Sequence, residues 1–357
     1  MRILILGSVA LPIPPPAQGG TELIAYYQAK GLAEKGHGVI LVGAKGTAVN
    51  FTGTKVRVIE IGEGDLVSGT ALEQKFDPEK TESSRKLRLE NVYLAKASQV
   101  LIDEVANYDV ILNNMRGEAV FLPLAKLLGK PFVNVMHLNL FPELGDLFAT
   151  YKTPVITISN FQRNGFENLN YLTTVYNGVD TSRFAFNDKP SGYLLMMGSI
   201  GRHKNQGAAI RVAKKLDMPL VLAGKINDKA YFEELKKDID GEQIKWVGEL
   251  GFEEKLKLYQ EAKAFLFPIL WDEPFGLVMI EALSCGTPVV AFRKGSTSEV
   301  VLDNKTGFIV DNEHEMIEAV GKIDSISRAE CRKHVEDNFT VEKMIDNYEK
   351  ALQKIGL

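Results

Sequence analysis

The sequence predicts an α/β protein with two doubly wound domains in tandem. Three observations support this prediction. From Arg2 to about Gly178, short apolar runs alternate with amphipathic segments, which is typical of buried parallel strands joined by helices. The same alternation starts again after the polar segment 180–192, which contains Pro and Gly and is expected to be a linker. The chain of 357 residues is also too long for a single compact core.

The first half carries strand candidates with helix candidates between them. The strands are expected at 2–6, 37–43, 55–61, 108–113, 131–136, 154–159 and 172–177. Amphipathic stretches at 21–36 and 119–129 are the clearest helices between them.

The second half repeats this pattern. Its strands are expected at 193–198, 218–224, 244–248, 264–268, 287–292 and 307–310. A helix is predicted from Gly276 to about Cys285, because Gly286 provides a C-terminal stop. The last helix is expected to start at about Thr340.

The predicted domains are 1–183, together with the C-terminal helix at about 340–357, and 190–338. Two such domains would leave a cleft that faces the carboxyl ends of both sheets, where ligands are expected. Fold alone does not give function, so the loops after the strands must supply it.

Composition narrows the class of partner. A formal net charge of −4 argues against nucleic acid as a primary partner, although a local basic patch could still contact an anionic membrane. Cys285 and Cys331 form no CxxC pair, which fits a reducing compartment, and the histidines show no metal-ligand spacing. We therefore expect no bound metal.

The N-terminus could pass for a signal peptide, but the prolines between Pro12 and Pro16 would break its apolar helix, and "RILIL" is also a good first strand. No run approaches the roughly 18 apolar residues of a membrane span.

The expected location is the cytoplasm, with peripheral contact at the inner membrane face left open. Both a monomer and a homodimer remain open.

Two loops have the composition of phosphate-binding segments. In "PPPAQGGTE", Gly19 and Gly20 would let the backbone approach a ligand before a helix N-terminus, although the motif is not GxGxxG and a flexible loop capped by Thr21 remains open. In "MMGSIGRHKNQG", Arg202 and Lys204 follow a strand beside a glycine turn, which suits a diphosphate. A solvated basic turn remains the alternative there.

The segment "WDEPFGLVMIEALSCGTPVV", residues 271–290, joins a strand to the helix that begins at Gly276. The free N–H groups of this helix suit a phosphate, and carboxylates such as Glu273 and Glu281 can each accept bonds from two sugar hydroxyls. Phosphate at the helix start, with one glutamate toward each sugar of a donor, is physically coherent. The alternative places Glu273 in solvent and Glu281 on a solvated helix face.

"EPFGLVMIE" matches the E-x7-E signature, and this chain resembles the retaining glycosyltransferases of family 4, the glycosyl transferases group 1, which have the GT-B fold. The resemblance runs almost end to end through "GGTE", "EKGHGVILVG", "VMH", "ISNFQR", "VYNGVD", "HKNQ", "LVLAGK", "CGTPVVAFRKGSTSEVV" and "TGFIV". It is nearest to the avilamycin-type branch. It implies two Rossmann-like domains facing a cleft, with the C-terminal helix packed back on the N-terminal domain.

The resemblance also implies roles for particular residues. Glu273 would hold hydroxyls of the transferred sugar, Glu281 the ribose hydroxyls, and Lys204 the diphosphate. Backbone N–H groups at the helix start would assist Lys204; they belong to Phe275, Gly276 and Leu277.

On the other side of the cleft, Gly20 with Gly19 would let the first loop approach the donor. His137 would line the acceptor side, and the alternative for His137 is an imidazole packed at the end of a strand. The sequence departs from the family at Ser199, where an arginine is usual, and we expect Arg202 to supply the missing charge. Histidine, usual near the end of strand 108–113, is also absent there, so acceptor binding is expected to differ.

The implied activity is metal-independent transfer of a hexose, with glucose expected, from a nucleoside diphosphate sugar, with UDP expected. No cofactor is expected, and the acceptor is a hydroxyl on a small molecule, a glycan or a lipid-linked compound. A sugar phosphorylase, a nucleotide-sugar epimerase and a non-catalytic sugar-binding protein remain alternatives. A glycosidase with Asp272 and Glu273 as its two carboxylates is disfavoured, because adjacent side chains diverge and a hydrolase needs no basic diphosphate loop.

Overall fold

The computed structural model describes residues 1–16, 19–63 and 82–355, with backbone alone for 82–86. Residues 17–18 of the first glycine loop and 356–357 of the expected C-terminal helix therefore lie outside the described residues. The chain divides into two compact units. The N-terminal unit comprises Met1–Ile158, Arg163–Val175 and Ile345–Leu357, and the C-terminal unit comprises Ser159–Gln162 and Tyr176–Met344.

The N-terminal unit is built on a parallel sheet of seven strands in the order β3-β2-β1-β4-β5-β6-β7. Its strands are β1 (Arg2–Leu6), β2 (Gly38–Gly43), β3 (Val56–Glu60), β4 (Val110–Asn113), β5 (Phe132–Met136), β6 (Val155–Thr157) and β7 (Tyr171–Thr174). All of them fall within the expected ranges except that β7 begins one residue early. The central strands β4 and β5 are buried along their whole length, because helices pack on the sheet.

The helices of this unit connect the parallel strands. They are α1 (Gly20–Glu34), α2 (Glu82–Asp103), α3 (Glu118–Leu128) and α4 (Pro142–Tyr151). The helix expected at 21–36 is thus confirmed as α1, and the one expected at 119–129 as α3, which ends at Gly129 in the left-handed conformation that suits a glycine.

The C-terminal unit has a parallel sheet of six strands in the order β10-β9-β8-β11-β12-β13. Its strands are β8 (Leu194–Met197), β9 (Leu220–Ala223), β10 (Ile244–Trp246), β11 (Ala264–Phe267), β12 (Val289–Phe292) and β13 (Gly307–Val310). Its helices are α5 (Gln206–Lys215), α6 (Lys229–Lys236), α7 (Phe252–Glu261), α8 (Leu277–Ser284), α9 (Thr297–Val300), α10 (Glu313–Gly321) and α11 (Arg328–Asn338). All strands lie where the sequence predicts them, and α8 is the predicted helix between Gly276 and Cys285.

The last helix, α12 (Val341–Gln353), packs on the N-terminal unit, as the resemblance implies. A Cβ on Gly31 of α1 would lie 2.6 Å from Cγ1 of Ile345, so the two helices are in close contact there. Lys35 donates to Asp346 at 2.7 Å and to Glu349 at 3.0 Å, which ties the end of α1 to α12.

The strand order reverses between β1 and β4 in one sheet and between β8 and β11 in the other. In open parallel sheets, ligands bind beyond the carboxyl ends of the strands at such a switch point. The loops after β1 and β4 in the N-terminal unit, and after β8 and β11 in the C-terminal unit, are therefore the places to look for function.

Candidate active site

The loops that follow β8 and β11 meet through a partly buried ion pair between Lys204 and Glu273. Lys204 Nζ lies 3.0 Å from Glu273 Oε2, and the two side chains are only 17% and 13% exposed. The ammonium also lies over the rings of Trp271 (5.1 Å to the centroid) and Phe267 (5.6 Å). A partly buried cation and carboxylate thus lie side by side at the switch point of the sheet.

Backbone contacts hold the two loops together. Leu270 N donates to the carbonyl of His203 at 2.9 Å, and Asn205 Nδ2 donates to the carbonyl of Pro268 at 3.0 Å. The positions of Lys204 and Glu273 are therefore fixed by the main chain around them as well as by their own contact.

A second turn, which sequence reasoning did not single out, supports the Glu273 loop. Ser296 N donates to the carbonyl of Glu273 at 2.9 Å, and Ser296 Oγ donates to the carbonyl of Phe275 at 3.0 Å. Gly295 has φ +58, and a Cβ there would lie 2.3 Å from the Glu273 carbonyl oxygen. Only glycine fits this position, and the "KGSTSE" stretch is the sequence signal for it.

The helix α8 begins immediately after this loop. Gly276 is its N-cap in the left-handed conformation at φ +83, and no side chain caps the helix at this described terminus. A Cβ on Gly276 would lie 2.6 Å from Met279 Cε and 3.3 Å from Glu273 Cγ. The first N–H groups of α8, including that of Leu277, therefore remain available to an anion, while the Phe275 side chain is buried.

Glu281, in the middle of α8, is buried and only 7% exposed, so the solvated-face alternative is wrong for this residue. Lys255 Nζ donates to Oε1 at 3.0 Å and to Oε2 at 3.1 Å. The hydroxyl of Tyr259 donates to Oε2 at 2.8 Å. Sequence reasoning missed both partners, although their i, i+4 spacing on α7 was a usable signal.

Arg202 points elsewhere. Its guanidinium pairs with Glu234, lies 3.7 Å from Asp228 and packs over the ring of Tyr231, all on or next to α6. Arg202 and Lys204 belong to one 3-10 helix, Arg202–Lys204, in which residues two apart project to different sides. The structure brings Lys204 to Glu273, and it does not bring Arg202 there.

In the N-terminal unit, His137 follows β5 and joins a buried amide network. Its Nε2 lies 2.8 Å from Asn114 Oδ1, and Asn114 Nδ2 donates to Gln28 Oε1 at 2.7 Å. Because the amide oxygen of Asn114 must accept, His137 donates from Nε2 and keeps Nδ1 as an acceptor. Burial, followed by the nearby positive charge of Arg116, lowers the pKa of His137 to about 4, so the ring is neutral at pH 7.

His137 lines a pocket of about 40 Å³ at the β1/β4 switch point. Thr21 of α1 lines the same pocket, together with Asn114 and Arg116. The helix α1 begins at Gly20 with Gly19 as its N-cap, and no side chain caps this terminus in the part of the chain that the structure describes. The structure therefore brings the start of α1 and His137 to one site.

Two other features of the described residues bear on chemistry. They contain no group of three or more His, Cys, Asp or Glu that could hold a metal ion, and no described helix is long and apolar enough to cross a membrane. Burial raises the pKa of both Cys285 and Cys331 to about 12, which keeps the two thiols protonated and unreactive.

The two parallel sheets with these loop sites define a pair of Rossmann-like domains of the GT-B type, and solved structures confirm this fold. AviGT4, a glycosyltransferase involved in avilamycin A biosynthesis, has a TM-score of 0.72 at 20% identity, over 99% of this chain and 97% of that one. Alr3699/HepE of Anabaena, in complex with UDP and glucose, has a TM-score of 0.74 at 19% identity, over 99% and 100%.

Residues 180–340 match the family model described as glycosyl transferases group 1, in agreement with the group 1 resemblance seen in the sequence. The uncharacterized glycosyltransferase MJ1178 of Methanocaldococcus jannaschii is 25% identical over 59% of this chain and 64% of its own length. The D-inositol 3-phosphate glycosyltransferase of Pseudarthrobacter chlorophenolicus is 28% identical over 58% and 60%. The chain thus spans less than two thirds of the length of these curated relatives.

Proposed function

We propose that this protein is a retaining glycosyltransferase that moves a hexose from a nucleoside diphosphate sugar to a hydroxyl acceptor. The observation that carries the proposal is the 3.0 Å contact between Lys204 Nζ and Glu273 Oε2 beside the N-terminus of α8. A cation suits a phosphate, and a carboxylate suits sugar hydroxyls. Because the two groups lie 3.0 Å apart, a phosphate and a sugar bound by them would be neighbours, as they are in a nucleotide sugar.

In the proposed reaction, the bond between the anomeric carbon and the β-phosphate oxygen breaks, and the acceptor oxygen bonds to that carbon from the same face. The acceptor proton passes to the departing β-phosphate oxygen, so the reaction needs no base from the protein. Lys204 and the backbone N–H groups at 275–277 stabilise the negative charge that develops on the diphosphate. Glu273 orients the sugar through its hydroxyls, and no metal takes part.

We assign the acceptor to the pocket in the N-terminal unit. The Nδ1 atom of neutral His137 can accept a hydrogen bond from an acceptor hydroxyl, and the Thr21 hydroxyl and Arg116 guanidinium offer further polar contacts there. This set suits a polyhydroxylated compound, and it is compatible with a small molecule, a glycan or the head group of a lipid-linked sugar.

UDP-glucose is the proposed donor. Its support is the similarity of fold to HepE, whose solved complexes contain UDP, glucose or UDP-glucose. We also propose that the protein works in the cytoplasm as a monomer or a homodimer. Any contact with the membrane would be peripheral.

A donor panel tests the proposal. Purified protein is incubated with UDP-glucose, UDP-galactose, UDP-N-acetylglucosamine and GDP-mannose, with and without EDTA, and nucleotide release is followed before and after addition of a cell extract as the source of acceptor. We expect UDP release that the extract accelerates and that EDTA does not reduce, and an α-linked product from the α-linked donor by NMR. Phosphate-dependent release of a sugar phosphate would indicate a phosphorylase. Conversion of the donor without acceptor would indicate an epimerase, and binding without turnover a sugar-binding protein.

A further inference from the structure

We propose that Lys255 and Tyr259 are positioning residues that hold the Glu281 carboxylate in a fixed orientation to receive a ribose hydroxyl of the donor. This inference rests on the proposed function and on the role that the sequence resemblance implies for Glu281, which is to hold ribose hydroxyls of the nucleotide. It adds two residues of α7 to a site otherwise formed by α8 and the loops after β8 and β11.

The geometry immobilises the carboxylate from one side. Lys255 and Tyr259 lie one turn apart on α7, and the ammonium bonds both oxygens of Glu281, at 3.0 and 3.1 Å. The Tyr259 hydroxyl, which is completely buried, adds a third bond of 2.8 Å to Oε2. A carboxylate has about four lone-pair sites, so these three bonds fix its plane and still leave Oε1 able to accept another donor.

Charge is the second argument. A carboxylate as buried as that of Glu281 is costly unless a cation lies against it. Burial and the adjacent Glu281 raise the pKa of Tyr259 well above its ordinary value, so Tyr259 stays a neutral donor and Lys255 is the contacting cation.

The other ionisable groups near Glu281 do not replace this cation. Cys285, at the end of α8, stays a protonated thiol. From α11, Arg328 donates to the carbonyls of Gln260 and Ala262, and Arg332 donates to those of Thr181 and Ser284. Both arginines therefore satisfy backbone oxygens, and Lys255 alone bonds the carboxylate among the described cations.

The position of the carboxylate favours a ligand over a purely structural tie. Glu281 follows Leu277 by four residues, so both lie on the same face of α8, one turn below the N–H groups proposed for the diphosphate. The ribose of a nucleoside diphosphate is the group attached directly to that diphosphate. Lys255 keeps 25% of its side chain exposed, so the ion pair borders solvent on that side.

The test compares Lys255→Met and Lys255→Arg with a control, Lys257→Met, which removes an exposed lysine two residues along the same helix. UDP affinity is measured by calorimetry, and the affinity of each variant is expressed as a ratio to wild type. Without the ammonium, the Glu281 carboxylate loses two of its three hydrogen bonds and can turn away from the ribose. We therefore expect Lys255→Met to bind UDP at least about tenfold more weakly than wild type.

Lys257→Met should match wild type, and Lys255→Arg should restore most of the affinity. Tyr259→Phe keeps the ring and removes one of the three bonds to the carboxylate, so it should weaken UDP binding about fivefold. This variant also tests the proposal if Lys255→Met does not fold. UDP affinity equal to wild type in folded Lys255→Met and Tyr259→Phe, with only the melting temperature lowered, would overturn the inference. Failure of the wild-type protein to bind UDP would instead contradict the proposed function.

Discussion

Glu273→Gln should separate binding of the nucleotide from transfer of the sugar. In the structure, the Glu273 carboxylate occupies one side of the Lys204 ammonium at 3.0 Å, with both side chains mostly buried. At an effective dielectric constant of about 20, two unit charges at this distance attract by about 5 kcal/mol before desolvation is subtracted. A diphosphate has to compete with this carboxylate for the same ammonium. Removing the negative charge should therefore leave UDP affinity unchanged or raise it by up to about tenfold.

Transfer should change in the opposite direction. The variant replaces a charged acceptor by a neutral amide, and each hydrogen bond to a sugar hydroxyl weakens by about 1 kcal/mol. Two such bonds give about 2 kcal/mol, which corresponds to a loss of roughly 30-fold in kcat/KM for UDP release from UDP-glucose. Discrimination between UDP-glucose and UDP-galactose should narrow, because the hydroxyls that distinguish them are held less firmly.

Calorimetry with UDP and a UDP-release assay with both donors measure the two effects on the same preparation. Asp272→Asn is the matched control: it removes one negative charge from the neighbouring position, and its remaining side-chain oxygen can still accept from Gly295 N, which lies 3.1 Å from Asp272 Oδ1. This control should keep wild-type kcat/KM. A tenfold loss of UDP affinity in Glu273→Gln, or transfer equal to wild type, would refute the assignment of Glu273 to the sugar.

Three other substitutions have defined outcomes. Lys204→Ala should abolish measurable UDP binding while uridine binding persists, which calorimetry measures. It should also lower the stability by about 1–3 kcal/mol in urea unfolding, because it leaves the partly buried Glu273 carboxylate without its cation. Gly295→Ala should lower the free energy of unfolding in urea by about 1–3 kcal/mol and reduce transfer, because the new Cβ would lie 2.3 Å from the backbone of Glu273. Gly241→Ala is the control: Gly241 has φ +78 and nothing within 4 Å of an added Cβ, so this variant should show the backbone strain alone. Burial lowers the pKa of His137 from its ordinary value of 6.5 to about 4 in the folded protein. Between these two pH values the unfolded chain binds a proton that the folded protein does not, so the stability falls as the pH drops from 6.5 to 4. His137→Gln should remove up to about 3 kcal/mol of that pH dependence, measured as the difference from wild type in urea unfolding.

The sequence was sufficient for the fold because the strands of both sheets are short, apolar and separated by helices, as buried parallel strands must be. The helix α8 was equally predictable, since Gly276 and Gly286 mark its two ends with left-handed glycines at φ +83 and +88. The approach of Lys204 to Glu273 was predictable only as far as topology allows. Both residues follow strands that flank the switch point, so their loops had to be neighbours.

What the sequence could not decide is the direction in which each charged side chain points. Arg202 and Lys204 lie in the same short segment, but they pair with different carboxylates. Arg202 pairs with Glu234 of α6, and Lys204 pairs with Glu273. Those partners are 32 and 69 residues away along the chain. The local pattern therefore predicts that a loop is basic, but the tertiary fold determines which of its cations pairs at the surface and which is held, partly buried, at the candidate active site.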